Sequence, residues 1–202
     1  AQSAPHMAID VQALGCDFFA CSGHKVYAPT GIGVLWGRKE ILDRLPPWKG
    51  GGEMIEKVSF DGTIYNALPF KYEAGTPNVE GAIAMAEAVR FVKNTGLEEI
   101  SRHEKALSDR CLEGLRKVEG LQIIGDSVRK SSVISFVVDG VHHYDLGVLL
   151  DQMGIAVRTG HHCCQPLMSR YGISGTVRVS FALYNTLDEV DFFLASLNKV
   201  LG

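Results

Sequence analysis

The sequence predicts an α/β chain in two parts, and three observations predict it. Short apolar runs closed by glycine occur at residues 17–21 (DFFAC) and 31–37 (GIGVLWG). The pattern turns helical after Gly75-Thr76-Pro77-Asn78, and from about Thr95 helical and strand-like segments alternate to the last residues.

The two apolar runs read as short buried strands joined by a tight connection through Pro29-Thr30-Gly31. Pro46-Pro47 and Gly50-Gly51-Gly52 break regular structure, so the stretch to about Pro69 is expected to be a mobile, irregular flap. Ile83, Ala86, Val89, Arg90 and Val92 place a stripe on one face of a helix over residues 79–93, stopped by Asn94-Thr95-Gly96. A longer helix follows at 97–118, then strands at 121–124 and 132–138. Helix at 144–153, strands at 155–158 and 176–181, and a closing amphipathic helix at 187–201 complete a compact α+β unit. The domain boundary is placed near Asn94, dividing the chain into residues 1–94 and 95–202.

Composition limits the function. With 202 residues and 46% hydrophobic positions, the chain has enough apolar mass for one large core or two modest ones. Lys plus Arg number 20 against 23 for Asp plus Glu, so the net charge of -3 offers no footprint for nucleic acid or an anionic membrane. No apolar run approaches the roughly 18 residues needed to cross a bilayer. The five cysteines, Cys16, Cys21, Cys111, Cys163 and Cys164, lack a disulfide-framework spacing and point to a reducing, cytoplasmic compartment. Opening on Ala-Gln-Ser-Ala-Pro without Met or a capping signal, the chain reads as an excerpt of a longer protein.

Three positions carry candidate chemistry. Lys25 follows an apolar strand through Ser22-Gly23-His24, where a partly desolvated amine can condense with an aldehyde; an ordinary loop lysine is the bland alternative. Ser22 and His24 are the donors that a phosphate needs if that aldehyde is pyridoxal 5'-phosphate. Cys163 lies in Arg158-Thr159-Gly160-His161-His162-Cys163-Cys164-Gln165-Pro166, read as a loop in which imidazoles and an arginine favour thiolate. Packed free thiols are the alternative; a metal site is disfavoured because four consecutive ligand types do not readily converge on one tetrahedral ion. Arg178, inside the apolar Val-Arg-Val-Ser, needs an anion, either a structural carboxylate or that of a substrate. Thr76 suits phosphate binding or a helix cap.

Together SGHKVYAPTGIG, PPWKGGG, EAGTPN, RTGHHC and VRVSFALYNT resemble the group II (SufS-type) cysteine desulfurases, pyridoxal-phosphate enzymes of the fold type I aminotransferase superfamily. The resemblance runs from Ala1 to Gly202. It implies that residues 1–94 are the C-terminal part of the cofactor-binding large domain and residues 95–202 the small domain. In that family the lysine of Ser-Gly-His-Lys attaches the cofactor, which by motif is Lys25. Ser22 and His24 match phosphate ligands, and Gln2 matches a glutamine near the ring oxygen. Thr76 matches a threonine reaching the phosphate of the neighbouring subunit's cofactor, implying a homodimer. Cys163 lands on the sulfur acceptor, Arg178 on the arginine that binds the substrate carboxylate, and Arg158 in the same cleft. Cys164 stands where the family pattern usually has alanine.

The resemblance implies conversion of L-cysteine to L-alanine, with sulfur held on the enzyme as persulfide and passed to an acceptor protein for iron-sulfur cluster assembly. L-selenocysteine is a second implied substrate. An aspartate for the pyridinium nitrogen, a ring-stacking histidine and a phosphate-binding loop are expected before Ala1, so this polypeptide alone is expected to hold the cofactor weakly. The rival readings are another fold type I enzyme, such as an aminotransferase or epimerase relative, and a non-catalytic remnant.

Overall fold

In the computed structural model, which describes residues 1–127 and 130–202, the chain divides after Leu97 into the units Ala1–Leu97 and Glu98–Gly202. In the first, β1 (Phe18–Ser22) and β2 (Gly33–Gly37) pair antiparallel, with Phe18 opposite Gly37 and Ser22 opposite Gly33. Between them a single 3-10 turn, Gly23–Val26, carries Lys25 and is closed by Tyr27 at φ 65°. Only glycine fits at its start: a Cβ on Gly23 would meet Ile32 Cγ2 at 2.7 Å and the Ile32 carbonyl oxygen at 2.9 Å. Lys25 thus lies one turn beyond the strand, half-buried.

The expectation that these two strands are buried is corrected. Phe18, Val34 and Leu35 are 44%, 51% and 64% exposed, since a two-stranded sheet has no inner strand to be covered on both faces. Helix α1 (Lys39–Arg44), absent from the sequence reading, ends where Pro46-Pro47 cannot continue it. Its last carbonyls are satisfied from a distance. Lys71 Nζ donates to the carbonyls of Leu42 and Asp43 at 3.1 and 2.9 Å, and the Tyr72 hydroxyl donates to Leu42 at 2.7 Å.

The expected irregular flap is also corrected: β3 (Ile55–Ser59) and β4 (Gly62–Tyr65) form an antiparallel hairpin, with Ser59 opposite Gly62. Every position in it is exposed, so no in-and-out alternation marks it in the sequence. Helix α2 (Val79–Thr95) forms as expected, but on a different face. Gly81, Met85, Ala88 and Val92 are the buried stripe, at helical spacing, whereas Ile83 and Val89 are 65% and 49% exposed. Met85 and Val92 join Cys21, Val26 and Val34 around an apolar cavity of about 340 Å³.

The second unit begins on α3 (Leu97–Leu115), followed by β5 (Leu121–Ile124), β6 (Val133–Val138) and α4 (His143–Asp151). Next come β7 (Arg158–Gly160), α5 (Gln165–Tyr171), β8 (Thr176–Ser180) and α6 (Leu187–Leu201). The strands form one antiparallel sheet in the order β5-β6-β8-β7. Its core face presents Ile134, Phe136, Val177 and Val179 to Leu107, Cys111 and Leu115 of α3, Leu146 and Leu150 of α4, and Val190, Phe193 and Leu197 of α6. Because strand side chains alternate, the opposite face carries Ser135, Thr176 and Arg178. A reciprocal capping box of Thr186 and Glu189 starts α6.

Helix α3 ends at Leu115 rather than at 118 and α4 at Asp151 rather than at 153, and two segments between α4 and α5 also differ from expectation. The strand expected at 155–158 is instead Arg158–Gly160, because Ile155 N–H donates back to the Leu150 carbonyl at 3.0 Å and closes α4. The loop expected through Pro166 is β7, a short turn and then α5, whose first turn accepts Pro166 because no helical partner is needed there.

Phe136 is fully buried and its ring centroid lies 6.5 Å from that of Phe193. Phe136→Ala should destabilise the second unit by about 3–5 kcal/mol, read from urea unfolding of the chain. A loss below about 1 kcal/mol would contradict a core centred on this sheet face.

Candidate active site

Arg158 and Arg178 occupy directly opposed positions on β7 and β8. Opposed residues project from the same face, and two like charges there repel. Arg178 is half-buried and its Nε has no hydrogen-bond partner; among the described residues neither guanidinium has a carboxylate in ion-pair range. The structural carboxylate weighed for Arg178 is therefore not among the described residues. Burial, and then the Arg158 charge, lower the Arg178 pKa. A cationic pair set in a sheet, with no carboxylate in ion-pair range among the described residues, has the charge and donors to bind an anion.

Directly after β7 the backbone enters a strained turn. His162 and Cys163 have φ of 53° and 60°, left-handed values that non-glycine residues adopt only where contacts enforce them. Three contacts do so here. His162 Nε2 and Thr176 Oγ1 form a hydrogen bond of 2.8 Å, Cys163 N–H donates to His161 Nδ1 at 3.1 Å, and Cys164 N–H donates to the His161 carbonyl at 2.8 Å. Thr176 is fully buried, so it fixes the imidazole from the sheet. The turn leaves Cys163 exposed, with the Arg158 guanidinium donating toward its Sγ at 3.9 Å.

Gly175 lets this arrangement close. A Cβ there would meet the Gly160 carbonyl carbon at 2.7 Å and His143 Nε2 at 2.6 Å, so the start of β8 can approach the end of β7 only without a side chain. Burial, reinforced by Arg178 and Arg158, lowers the His162 pKa; burial and then His142 lower that of His143. Both imidazoles are therefore harder to protonate than a free histidine. Burial pushes the Cys111 thiol up to about 12, which leaves it inert in the core.

In the first unit, Ser22, His24 and Lys25 fall within one turn, and none of the three side chains has a hydrogen-bond or ion-pair partner among the described residues. A hydroxyl, an imidazole and an amine left free within four successive residues fit a phosphorylated aldehyde. Asn78, which the sequence reading passes over, braces the turn between β1 and β2. Its Nδ2 donates to the Gly31 carbonyl at 3.1 Å while its Oδ1 accepts from Gly81 N–H at 2.9 Å, capping α2. Since Asn78 is the cap, the capping role weighed for Thr76 is corrected; Thr76 is exposed in the preceding loop. Gln2 is exposed near the start of the chain.

Residues 1–193 match the aminotransferase class-V family, and the chain belongs to that family. The chain is 49% identical over 199 residues to a probable cysteine desulfurase of Xylella fastidiosa, covering 98% of this chain and 48% of that protein. It is 50% identical over 201 residues to a cysteine desulfurase of Klebsiella pneumoniae, covering 99% of this chain and 49% of that protein. Among solved structures, the apo cysteine desulfurase of Thermococcus onnurineus superposes with a TM-score of 0.95 at 44% identity, covering 99% of this chain and 50% of that one. The Escherichia coli cysteine desulfurase CsdA, solved with an S-sulfonic acid, gives 0.93 at 42% identity, covering 100% and 50%. The chain spans about half the length of the curated relatives it matches. The cofactor of the family is pyridoxal phosphate.

The lowered imidazole pKa values set a pH dependence. The unfolded histidines take up protons near their ordinary 6.5 while folded His162 and His143 refuse them, so their contribution to stability is present above that pH and is lost as pH falls below it. Urea midpoints should therefore drop between pH 7.5 and 5.5, and His162→Gln, which keeps a donor for Thr176, should flatten the decline. An unchanged slope in that variant would contradict a neutral His162.

Proposed function

We propose that this chain is part of a pyridoxal-phosphate cysteine desulfurase, which turns L-cysteine into L-alanine and leaves the sulfur on Cys163. The observation that supports it is the exposed thiol in a strained turn, with one arginine reaching its Sγ and a second, unpartnered guanidinium opposite that arginine. Arg178 is assigned to the substrate carboxylate, by a bidentate grip that replaces the missing counter-charge, and Arg158 lines the same cleft. Cys163 attacks the substrate sulfur; the carbon-sulfur bond breaks, a sulfur-sulfur bond forms, and the electron pair left on carbon takes a proton to give alanine.

Lys25 is assigned as the cofactor's attachment point and, once its amine is free, as the base that moves the substrate α-proton. Ser22 and His24 would hold the cofactor phosphate, and Gln2 would lie near the ring oxygen. The cofactor supplies the electron withdrawal that weakens the carbon-sulfur bond.

Exposed Thr76 is assigned to the phosphate of a partner subunit's cofactor, which makes the working form a homodimer. A persulfide on an exposed cysteine suits delivery to an acceptor protein, and iron-sulfur cluster assembly is the proposed destination. L-selenocysteine, with its weaker bond to carbon, is a proposed second substrate. The five free cysteines accord with a cytoplasmic setting, and no helix among the described residues is long and apolar enough to cross a membrane.

The test uses the full-length protein. Cys163→Ala should lower alanine formation by about 100-fold or more while keeping the visible absorbance of the bound cofactor. Lys25→Ala should lose the covalent attachment itself. Undiminished alanine formation in Cys163→Ala would overturn the assignment of the sulfur acceptor.

A further inference from the structure

Cys164 occupies the N-cap of α5, a position where Ser, Thr, Asp or Asn normally turns its side chain onto the helix. Its side chain makes no capping bond, and the residue is exposed next to Cys163, which is exposed as well. A thiol placed in the open beside a nucleophile, without a packing or capping duty, is poorly explained as structure. We propose that Cys164 is a second sulfur station: the sulfur taken up by Cys163 is handed to Cys164, from which it leaves for the external acceptor. This inference rests on the desulfurase reading above.

The backbone geometry separates such a relay from the reaction that adjacent cysteines might otherwise undergo. The Cys163-Cys164 peptide is trans, since among the described residues Leu68-Pro69 is the one cis bond. Consecutive Cα atoms are then about 3.8 Å apart. That is shorter than the roughly 4.4–6.8 Å that an unstrained disulfide needs, so direct closure of a ring between the two thiols is opposed. Transfer of a sulfur atom has a different requirement. The attacking thiolate, the moving sulfur and the leaving sulfur lie nearly in line, which places the two cysteine sulfurs about 4–5 Å apart. Both thiols are exposed, so each side chain is free to change rotamer toward that separation.

The step balances without an added reagent. Cys164 thiolate attacks the terminal sulfur of the Cys163 persulfide; a sulfur-sulfur bond forms at Cys164 as the one at Cys163 breaks, and Cys163 departs as thiolate with the electron pair. The Cys164 proton passes to solvent, and nothing is oxidised or reduced overall. Arg158, at 3.9 Å from Cys163 Sγ, receives the negative charge that appears on the leaving sulfur, which favours the forward direction. Cys163 is thereby returned to its thiolate form for the next substrate while the stored sulfur waits one residue away.

The experiment gives the full-length holoenzyme a single equivalent of L-cysteine, traps thiols and persulfides with iodoacetamide at successive times, and locates the added sulfur by fragmenting the peptide that contains both cysteines. The relay predicts label on Cys163 first and mostly on Cys164 afterwards, no label on Cys164 in Cys163→Ala, and label confined to Cys163 in Cys164→Ser, with sulfur delivery to an external thiol slowed at least tenfold. Label that stays on Cys163 in the unaltered protein overturns the relay and leaves the desulfurase reading standing. Label on Cys164 in Cys163→Ala overturns the proposed order. Absence of added sulfur from both cysteines overturns the desulfurase reading and the relay together.

Discussion

Two guanidinium groups facing one another across β7 and β8 are the constraint around which the candidate site is organised. Opposed like charges on a sheet are unfavourable, more so when one is partly withdrawn from water. The fold nevertheless enforces the pair, because the register of β8 is fixed on its other side by β6, through Ser135 opposite Arg178 and Phe136 opposite Val177. A slip of one residue would turn Val177 and Val179 out of the core, a loss of burial much larger than the repulsion relieved. The core thus holds the two arginines in place opposite one another.

The same arrangement explains the backbone strain at His162 and Cys163. A residue in the left-handed region costs about 1–3 kcal/mol and persists only where neighbours over-determine it. Buried Thr176 anchors His162, His161 receives the Cys163 N–H, and Gly175 permits the close approach of strand ends. Each of these contacts joins the turn to β8 or to itself. Packing energy from the far face of the sheet is in this way transmitted to the placement of one thiol.

Much of the fold was legible from periodicity. The helices α2, α3 and α6 and the strands β5, β6 and β8 carry apolar residues at the spacing of a half-buried element, which a linear reading detects. The β3-β4 hairpin was not legible because it buries neither face, and the α2 stripe was misassigned because Gly81 and Ala88, small residues with little hydropathy signal, face inward while Ile83 faces out. Among the candidate residues, Lys25, Cys163 and Arg178 stood out because their chemistry conflicts with their apolar or loop surroundings. His162 with Thr176, and Asn78 with Gly31, escaped because those pairs lie 14 and 47 residues apart and neither partner is unusual where it stands. That the residue opposite Arg178 is another arginine is a matter of register, which no local pattern contains.

The proposed reading seats the substrate's carboxylate on Arg178, whose Nε is unpartnered, beside Arg158. The direct measurement compares L-cysteine with cysteamine, the same aminothiol without the carboxylate, as sulfur donors to the full-length holoenzyme, read as kcat/KM for persulfide formation. The account predicts that cysteamine is poorer by about 100-fold or more, because it leaves the cationic pair without its counter-charge. Equal efficiency with the two donors would contradict it.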